Sequence, residues 1–408
     1  MRILFLTQLL PYPLTAGPKV RAYYVLRYLA QRHAVTLLTF TRPDDPPEAV
    51  AHLREFCAEV HTVPMRRSRL RDAVSLAASL LDGQSFVIRR DYVRKMAAKV
   101  DALLATGGFD AVHADQLWMA QYALRAKRAA RPPMRVLDEH NACYLIFQRL
   151  ARGERNRVKR ALLRQEWRAL ARYEARACGA FDRVVTVTDE DRWALDDQIG
   201  RLGPPGSARV PPFATIPICV DPGAATPVTP NPDARDVLHM GTMFFLPNVE
   251  GVLWFAREVW PRVAAEAPDA TFTVVGKNPP PAVLRLAGEQ RGIRVTGYVA
   301  DPDPCLRGAA AFVVPLHSAG GMRVKILDAW SWGLPVVSTA IGAEGICCVD
   351  GEDILLAEDA ESFARAVVRV LRDPELARRL RINGRRAVEE RYDWRKVYCA
   401  WDGVYAEA

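Results

Sequence analysis

The feature that most constrains this chain is a rhythm in its apolar residues. Short runs rich in Val, Ile, Leu and Phe (Arg2–Thr7, Val35–Phe40, Val60–Pro64, Asp110–Ala114, Arg135–Glu139 and Arg183–Thr188) alternate with longer stretches of helical spacing, as in Val20–Gln31, where Val20, Tyr23, Tyr24 and Val25 recur. A strand that is apolar throughout must be covered on both faces. Runs of this kind separated by helices therefore predict a parallel sheet between helical layers, and right-handed crossovers make it a Rossmann-like doubly wound layer.

The rhythm stops at "LGPPGSARVPPFATIPICVDPGAATPVTPNPDAR" (Leu202–Arg235), which is loaded with proline and has no helical period. This reads as a linker holding one short strand, Thr215–Val220. Alternation then restarts with "DVLHMG", "TFTVVG", "IRVTGY", "AAFVVPL" and "PVVST", each set off by helical sequence. At 408 residues the chain exceeds what one hydrophobic core holds. Two Rossmann-like domains of the α/β class are predicted, residues 1–212 and 213–390. The helix 391–408, whose "YDWRKVYCAWDGVY" presents an aromatic packing stripe, is expected to return to the first. Doubly wound sheets bind ligands beyond the carboxyl ends of their strands, so the domains are expected to face each other across a cleft.

Several chemistries are excluded at this stage. The first strand–helix junction reads "TQLLPYPLTAGPKVRAYY", with no GxGxxG, and no Walker A loop occurs anywhere, which removes nicotinamide and P-loop chemistry. Eight cysteines are scattered without a CxxC, so reduced and buried thiols are expected rather than disulfides or a zinc site. The amino terminus breaks at Pro11 and lacks a small-residue cleavage site, so a buried first strand is expected rather than a secretory leader. No apolar run approaches the roughly 18 residues of a membrane span, and the reading is cytoplasmic. The net charge of +9 favours an anionic partner, but it is spread and not interleaved with aromatics, so nucleic acid is not expected.

Two junctions carry candidate chemistry. In the first, Gly17 and Pro18 suit an N-cap and N1 pair, and Lys19 and Arg21 follow in the first helical turn. Cations there oppose the helix dipole unless an anion sits at the helix start; the alternative is a solvated basic turn. In the second, "FVVPL" is followed by "HSAGG" and a helix beginning near Met322 or Arg323. At about 100° per residue, Lys325 and Asp328 project within about 60° of each other. Arg323, Lys325 and the Gly320–Gly321 amides suit a phosphate, and Asp328 suits vicinal hydroxyls such as a ribose. The alternative is an exposed Lys325–Asp328 pair worth under ~1 kcal/mol.

The stretch "GGMRVKILDAWSWGLPVVST" resembles the donor-site helix of glycosyltransferase family 4, within the GT-B fold. It is most similar to a subgroup, typical of exopolysaccharide-type sugar transferases, whose signature runs Gly-Gly-x-Arg-x-Lys-x-Leu-Glu and then Gly-x-Pro-Val-Val. "HMGTMFFLPNVEGVLWFAREVWP" resembles the opening of that subgroup's second domain. "GYVADPDPCLRGAAAFVVPL" resembles its base-binding strand and turn, "AIGAEGI" the loop after the helix, and "IPICVD" the interdomain strand. The resemblance covers nearly the whole chain.

What it implies is a retaining glycosyltransferase that moves a sugar from a UDP- or GDP-linked donor to a saccharide or lipid-linked acceptor, in polysaccharide or cell-envelope glycan synthesis, with no metal and no other cofactor. Asp328 matches the second glutamate of the family's Glu-x7-Glu motif, expected on the ribose, and Gly320 occupies the first glutamate's place. The donor pocket is implied at Gly241, Asn248, Gly297, Tyr298, Val299, Leu316, Gly320, Gly321, Met322, Arg323, Lys325 and Asp328. The usual Arg and Lys after the second domain's first strand are missing from "GTMFFLPN", so Arg323 and Lys325 are expected to neutralise the diphosphate in catalysis. His140, ending "RVLDEH", matches the family's histidine near the reacting sugar. The acceptor side is expected at Gly17, Lys19, Arg21, His113, Asp115 and Asn141.

Two readings of other classes stay open: a GT-B sugar-nucleotide epimerase, and a non-catalytic GT-B interaction protein. Donor alone, tested for free nucleotide or an epimer, separates the first from transfer, and a donor that binds but never turns over with any acceptor would favour the second. Two basic segments, Arg66–Gly83 and Arg149–Gly179, are amphipathic or arginine-rich. They read either as solvated helix faces or as peripheral contacts with an anionic membrane.

Overall fold

The apolar runs become two separate parallel sheets. The computed structural model describes residues 1–202, 211–229, 231, 233–243, 245–318 and 320–406. It divides into two units, Met1–Cys219 with Val397–Ala408, and Val220–Lys396.

In the first unit the strands are β1 (Arg2–Thr7), β2 (Ala34–Thr41), β3 (Glu59–Pro64), β4 (Ala111–Asp115), β5 (Met134–Glu139), β6 (Arg183–Thr186) and β7 (Phe213–Thr215), in the order β3-β2-β1-β4-β5-β6-β7. Every pair is parallel. Ile3, Leu4, Phe5 and Leu6 are fully buried, as a strand covered on both faces requires. β7 differs from the sequence expectation of Thr215–Val220. It pairs with β6 through Phe213, Ala214 and Thr215, and Pro217, which has no N–H to donate, lies just beyond it. In the second unit β8 (Asp236–Met240), β9 (Thr271–Val275), β10 (Ile293–Gly297), β11 (Ala309–Val314), β12 (Val336–Ser338) and β13 (Leu355–Leu356) run in the order β10-β9-β8-β11-β12-β13. Both sheets share one plan: the chain builds outward from the first strand, then returns to its other side. That reversal makes a switch point between β1 and β4 and another between β8 and β11, where strand ends diverge and side chains from adjacent loops converge.

The helices that carry or flank the candidate residues are α1 (Gly17–Ala30), α2 (Arg69–Asp82), α3 (Cys143–Gly153), α4 (Arg157–Cys178), α5 (Leu246–Trp254), α6 (Val324–Ser331), α7 (Pro374–Arg391) and α8 (Ala400–Tyr405). α1 begins one residue earlier than its sequence signal, because Ala16, not Gly17, adopts the extended N-cap conformation. The aromatic stripe of the tail is a packing face: Tyr398, Trp401 and Tyr405 are buried, and the Tyr398 hydroxyl accepts the Cys219 N–H at 3.1 Å within the first unit. In the second unit Trp330 of α6 lies against α7, where a Cβ on Gly384 would fall 2.4 Å from the indole. None of the eight cysteines is in a disulfide; Cys347 and Cys399 are exposed, against the expectation of burial throughout.

Candidate functional site

In the second unit the candidate residues gather at the switch point. Gly241 follows β8 directly and donates its N–H to the Val275 carbonyl at 3.0 Å. α5 brings in Asn248, whose Nδ2 donates to the Thr242 carbonyl at 2.9 Å; this fixes the amide so that Oδ1 faces Lys325 of α6. Lys325 Nζ donates to that oxygen at 2.8 Å. A side chain at 241 would collide with this arrangement, since its Cβ would lie 2.8 Å from both Lys325 Nζ and Asn248 Nδ2.

α6 starts at Val324, with Arg323 as its extended N-cap. The turn leading into it needs Gly321, whose φ of 70° lies in the left-handed region. Arg323 donates through Nη1 to the Gly320 carbonyl, and its Nη2 lies 4.0 Å from Glu344 Oε2. Asp328 and Lys325 share a face of α6 but form no ion pair, so the exposed surface pair is not what the helix holds. The Asp328 carboxylate has no hydrogen-bond partner among the described residues. Both side chains are hemmed in by protein yet keep some surface open, the situation of groups lining a recess. Burial, with Arg323 adding to it, lowers Lys325 from 10.5 to about 7 against the pull of Asp328. Burial raises Asp328 from 3.8 to about 7, with Lys325 opposing. Beneath them His239 donates Nδ1–H to the Val313 carbonyl at 2.9 Å, and burial, then Lys325, hold its ring neutral.

The other expected donor residues lie on neighbouring strand ends. Gly297 (φ 72°) accepts the Gly276 N–H at 2.9 Å, and Gly276 packs on Gly241 so closely that a Cβ there would fall 1.8 Å from the Gly241 oxygen. This aligns the ends of β10, β9 and β8. Tyr298 is exposed and Val299 partly buried. Leu316 and Met322 are buried, and the Leu316 carbonyl accepts from the Thr339 hydroxyl.

In the first unit His140 follows β5 beside the end of β4. Its Nε2 lies 2.9 Å from Asp115 Oδ1 and 3.6 Å from Asp138 Oδ2; its Nδ1 has no partner among the described residues. Burial disfavours the charged ring, but Asp115 and Asp138 outweigh it and raise His140 to about 9, so it is an imidazolium at neutral pH. Asp138 is held in turn by Arg21, with Nη2 at 2.6 Å from Oδ1 and Nε at 2.9 Å from Oδ2; Arg21 Nη1 donates to the Ile216 carbonyl at 2.7 Å.

Three expectations for the acceptor side differ here. Arg21 faces no open helix start: it is wholly buried, its guanidinium spent on Asp138 and Ile216, with the Trp401 ring 5.6 Å away. His113 is also wholly buried, stacked on Phe5 at 4.1 Å with Nδ1 2.7 Å from the Tyr405 hydroxyl; burial lowers it to about 4. Gly17 is the first residue of α1, and Lys19 Nζ lies 3.7 Å from Asp45. Asp115 is buried against His140, while Asn141 is only partly buried. Asp115, Asp138 and His140 bring ligand atoms within 4.8 Å of one another, but Arg21 already occupies Asp138 bidentately, so a metal ion would have to displace a buried cation.

Sequence reasoning passed over Asp138, Gln116, Gly276 and His239. Gln116, between Asp115 and the next helix, has φ 71° and ψ 157°, a region costing about 1–3 kcal/mol outside glycine, and its N–H is secured by the Asp138 carbonyl at 2.9 Å. Asp138 had a signal, as an acid near the end of a strand and two residues before the candidate histidine that follows it. The others had none.

Residues 15–210 match the model of Glycosyltransferase Family 4, and residues 234–373 match that of Glycosyl transferases group 1. Each unit of the chain thus contains a match to a glycosyltransferase family model. An uncharacterized 44.6 kDa protein in the cps region of Klebsiella pneumoniae is 29% identical over 170 residues, 40% of this chain and 44% of that protein. The lipopolysaccharide core biosynthesis glycosyltransferase LpsE of Rhizobium meliloti is 35% identical over 94 residues, 22% of this chain and 27% of LpsE. The matches thus span less than half of each of these relatives. Among solved structures, sucrose-phosphate synthase from Thermosynechococcus elongatus superposes with a TM-score of 0.73 at 17% identity, covering 100% of this chain and 98% of that one. Anabaena Alr3699/HepE, in complex with UDP and glucose, superposes with 0.70 at 13% identity, covering 100% of both. At such identities the likeness speaks to fold: the α/β, two-Rossmann architecture of GT-B proteins.

Proposed function

We propose that this chain, a glycosyltransferase family 4 domain followed by a glycosyl transferases group 1 domain, is a retaining glycosyltransferase. It moves a sugar from a nucleotide diphosphate sugar, with UDP as the favoured nucleotide, to a saccharide or lipid-linked acceptor in polysaccharide or cell-envelope glycan assembly. The observation that carries this reading is the Asp328 carboxylate, enclosed by protein yet without a hydrogen-bond partner among the described residues, one turn from a lysine that is held by Asn248 instead. A carboxylate left unsatisfied at a strand-end switch point suits a ligand that brings its own hydroxyl donors, as the vicinal hydroxyls of a ribose do. UDP is supported by the nucleotide in the HepE complex, and the glycan setting by the names of LpsE and the cps-region protein.

The chemistry follows from charge. When the bond between the anomeric carbon and the diphosphate breaks, its electron pair stays on phosphate, and negative charge grows there. Lys325 and Arg323 answer it without metal: the phosphate draws Lys325 into its charged form, and Arg323 turns from Glu344 to the anion. Asn248 keeps Lys325 extended in readiness, which lowers the ordering cost of binding. His140, cationic and anchored by Asp115, serves to stabilise charge at the reacting sugar or to hold its hydroxyl; Asn141 beside it, with Asp115, belongs to the acceptor side.

A thermal-shift screen of UDP-, GDP- and ADP-sugars, followed by incubation of the best donor with and without candidate lipid-linked and oligosaccharide acceptors, tests the reading. Nucleotide release that depends on acceptor, with the anomeric configuration kept in the product by NMR, is expected. Conversion of donor to free sugar or an epimer without acceptor would sink transfer as the function. No stabilisation by any sugar nucleotide would sink the site itself.

A further inference from the structure

Helix α2 is built inside out. At about 100° per residue, Leu70, Val74, Ala77 and Leu81 fall on one stripe about 60° wide, while Asp72, Ser75 and Ser79 lie on the opposite side. Ser79 is the one buried residue of the helix, and its carbonyl accepts Gln165 Nε2 of α4 at 3.0 Å. The polar side thus meets the protein and the aliphatic side meets solvent: Leu70 is 76% exposed, Val74 61% and Leu81 89%. In a surface helix this inversion leaves apolar area that folding does not cover.

The neighbourhood continues it. α4 lies alongside, tied by Arg172 to the Gly83 carbonyl at 3.0 Å. Between the two helices a groove of about 370 Å³ is walled by Leu76, Leu80, Phe86, Phe147, Leu162 and Leu163. Val158, at the start of α4, is 70% exposed. Beside it Arg157, Arg164, Arg168 and Arg172 line a second recess on the exposed side of α4. Just before α2 and in its first turn, Arg66 and Arg69 are exposed as well, whereas Arg67 is tied to Asp91 at 2.9 Å and Arg71 to the Tyr92 carbonyl at 2.8 Å. Of the acids nearby, Asp72 lies on the side of α2 opposite the aliphatic stripe, and two others are engaged. Asp82 pairs with Arg89, and Glu166 is turned inward onto Ser85 and the Phe86 N–H.

We infer that the α2–α4 face is a docking surface for an anionic lipid membrane. Projecting aliphatic side chains flanked by arginines match the layers of such a surface: acyl chains and glycerol for Leu70, Val74, Leu81 and Val158, headgroup phosphates for the arginines. A second copy of this chain would bring arginine stripe against arginine stripe, which like-charge repulsion opposes. The inference does not depend on the sugar-transfer reading, because lipid binding is measured with no donor present.

The experiment is flotation of the whole protein with vesicles of phosphatidylglycerol in phosphatidylcholine, against vesicles of phosphatidylcholine alone. Binding to the anionic vesicles is expected to be at least about tenfold stronger, and to fall when salt is raised to about 0.5 M. Leu70→Ser/Val74→Ser/Leu81→Ser should cut binding about tenfold with an unchanged melting temperature, since all three side chains are already in water. Arg157→Gln/Arg164→Gln/Arg168→Gln should erase the preference for the anionic vesicles. No binding to anionic vesicles, or binding that both triple variants leave intact, overturns the inference. A dimer in size-exclusion chromatography that the apolar triple variant dissolves, without vesicle binding, also overturns it, in favour of a second copy.

Discussion

Lys325 bonds to Asn248, 77 positions away in sequence, rather than to Asp328, three residues on along its own helix: Nζ lies 2.8 Å from the Asn248 oxygen. An i,i+3 partner of opposite charge would ordinarily win such a competition on a solvated helix. Here Asn248 is oriented by the Thr242 carbonyl, and Asp328 is raised to about 7, so part of its population is neutral and attracts the lysine less. The result is a cation and a carboxyl group side by side and both available.

That availability sets the first expected outcome. Lys325→Ala should weaken UDP about ten- to a hundredfold and uridine little, because a charge-assisted phosphate contact is worth roughly 1.5–3 kcal/mol. Asp328→Asn should weaken both about equally, since both carry the ribose. Titration calorimetry on the two variants distinguishes them, and unchanged affinities in both would refute the donor grip.

Nucleotide binding should take up a proton above neutral pH. With Lys325 lowered to about 7, most of the population is uncharged at pH 8. A diphosphate restores the charge, and the proton comes from buffer. Binding enthalpies measured at pH 8 in two buffers of different ionisation enthalpy should differ, and the difference should vanish in Lys325→Met. Equal enthalpies in the wild type would show that the lysine is already charged.

His140 should make stability depend on alkaline pH. Its folded value of about 9 exceeds the ordinary 6.5, so the contribution is present in full below about 6.5 and is lost as the pH rises through 9, on the order of 3 kcal/mol across that window. Wild-type melting should fall between pH 7 and 9.5 by more than that of His140→Gln. The variant should bind UDP nearly as well as wild type and turn over more slowly. A parallel fall in both melts would rule the histidine out as the source.

Gly276→Ala should unfold or strongly destabilise the second unit, by several kcal/mol, since the new Cβ would lie 1.8 Å from a backbone oxygen that has no room to retreat. Chemical denaturation would show it. Gly288→Ala, where nothing lies within 4 Å, is the control and should be near neutral.

Transfer should persist in EDTA, because Arg323 and Lys325 carry the charge on the leaving diphosphate. Assays after exhaustive chelation, with and without added manganese, measure this. Complete loss restored by manganese would place a metal ion in that role.

How much of the molecule was legible in the amino-acid order can be judged residue by residue. The first strand was readable to its ends, Arg2–Thr7, because continuous apolar character is a local property and a parallel sheet buried on both faces demands it. The restart after Arg235 was readable for the same reason, and so was the helix bearing Lys325 and Asp328, three residues apart on one face. What the order alone did not determine was which polar groups would be consumed by the protein. Arg21 looked like an anion ligand at a helix start, yet it reaches Asp138, 117 positions away, and Ile216, 195 away. His113 looked like a pocket residue until Tyr405, 292 positions on, met it. Gly276 became irreplaceable only through its contact with Gly241 across two strand ends. The physical reason is one of range. Propensity, periodicity and turn chemistry act over a few residues and can be read in order, whereas a buried charge is satisfied by whatever the folded sheets carry to it, and only the tertiary structure decided that Arg21 would be spent and Asp328 left open.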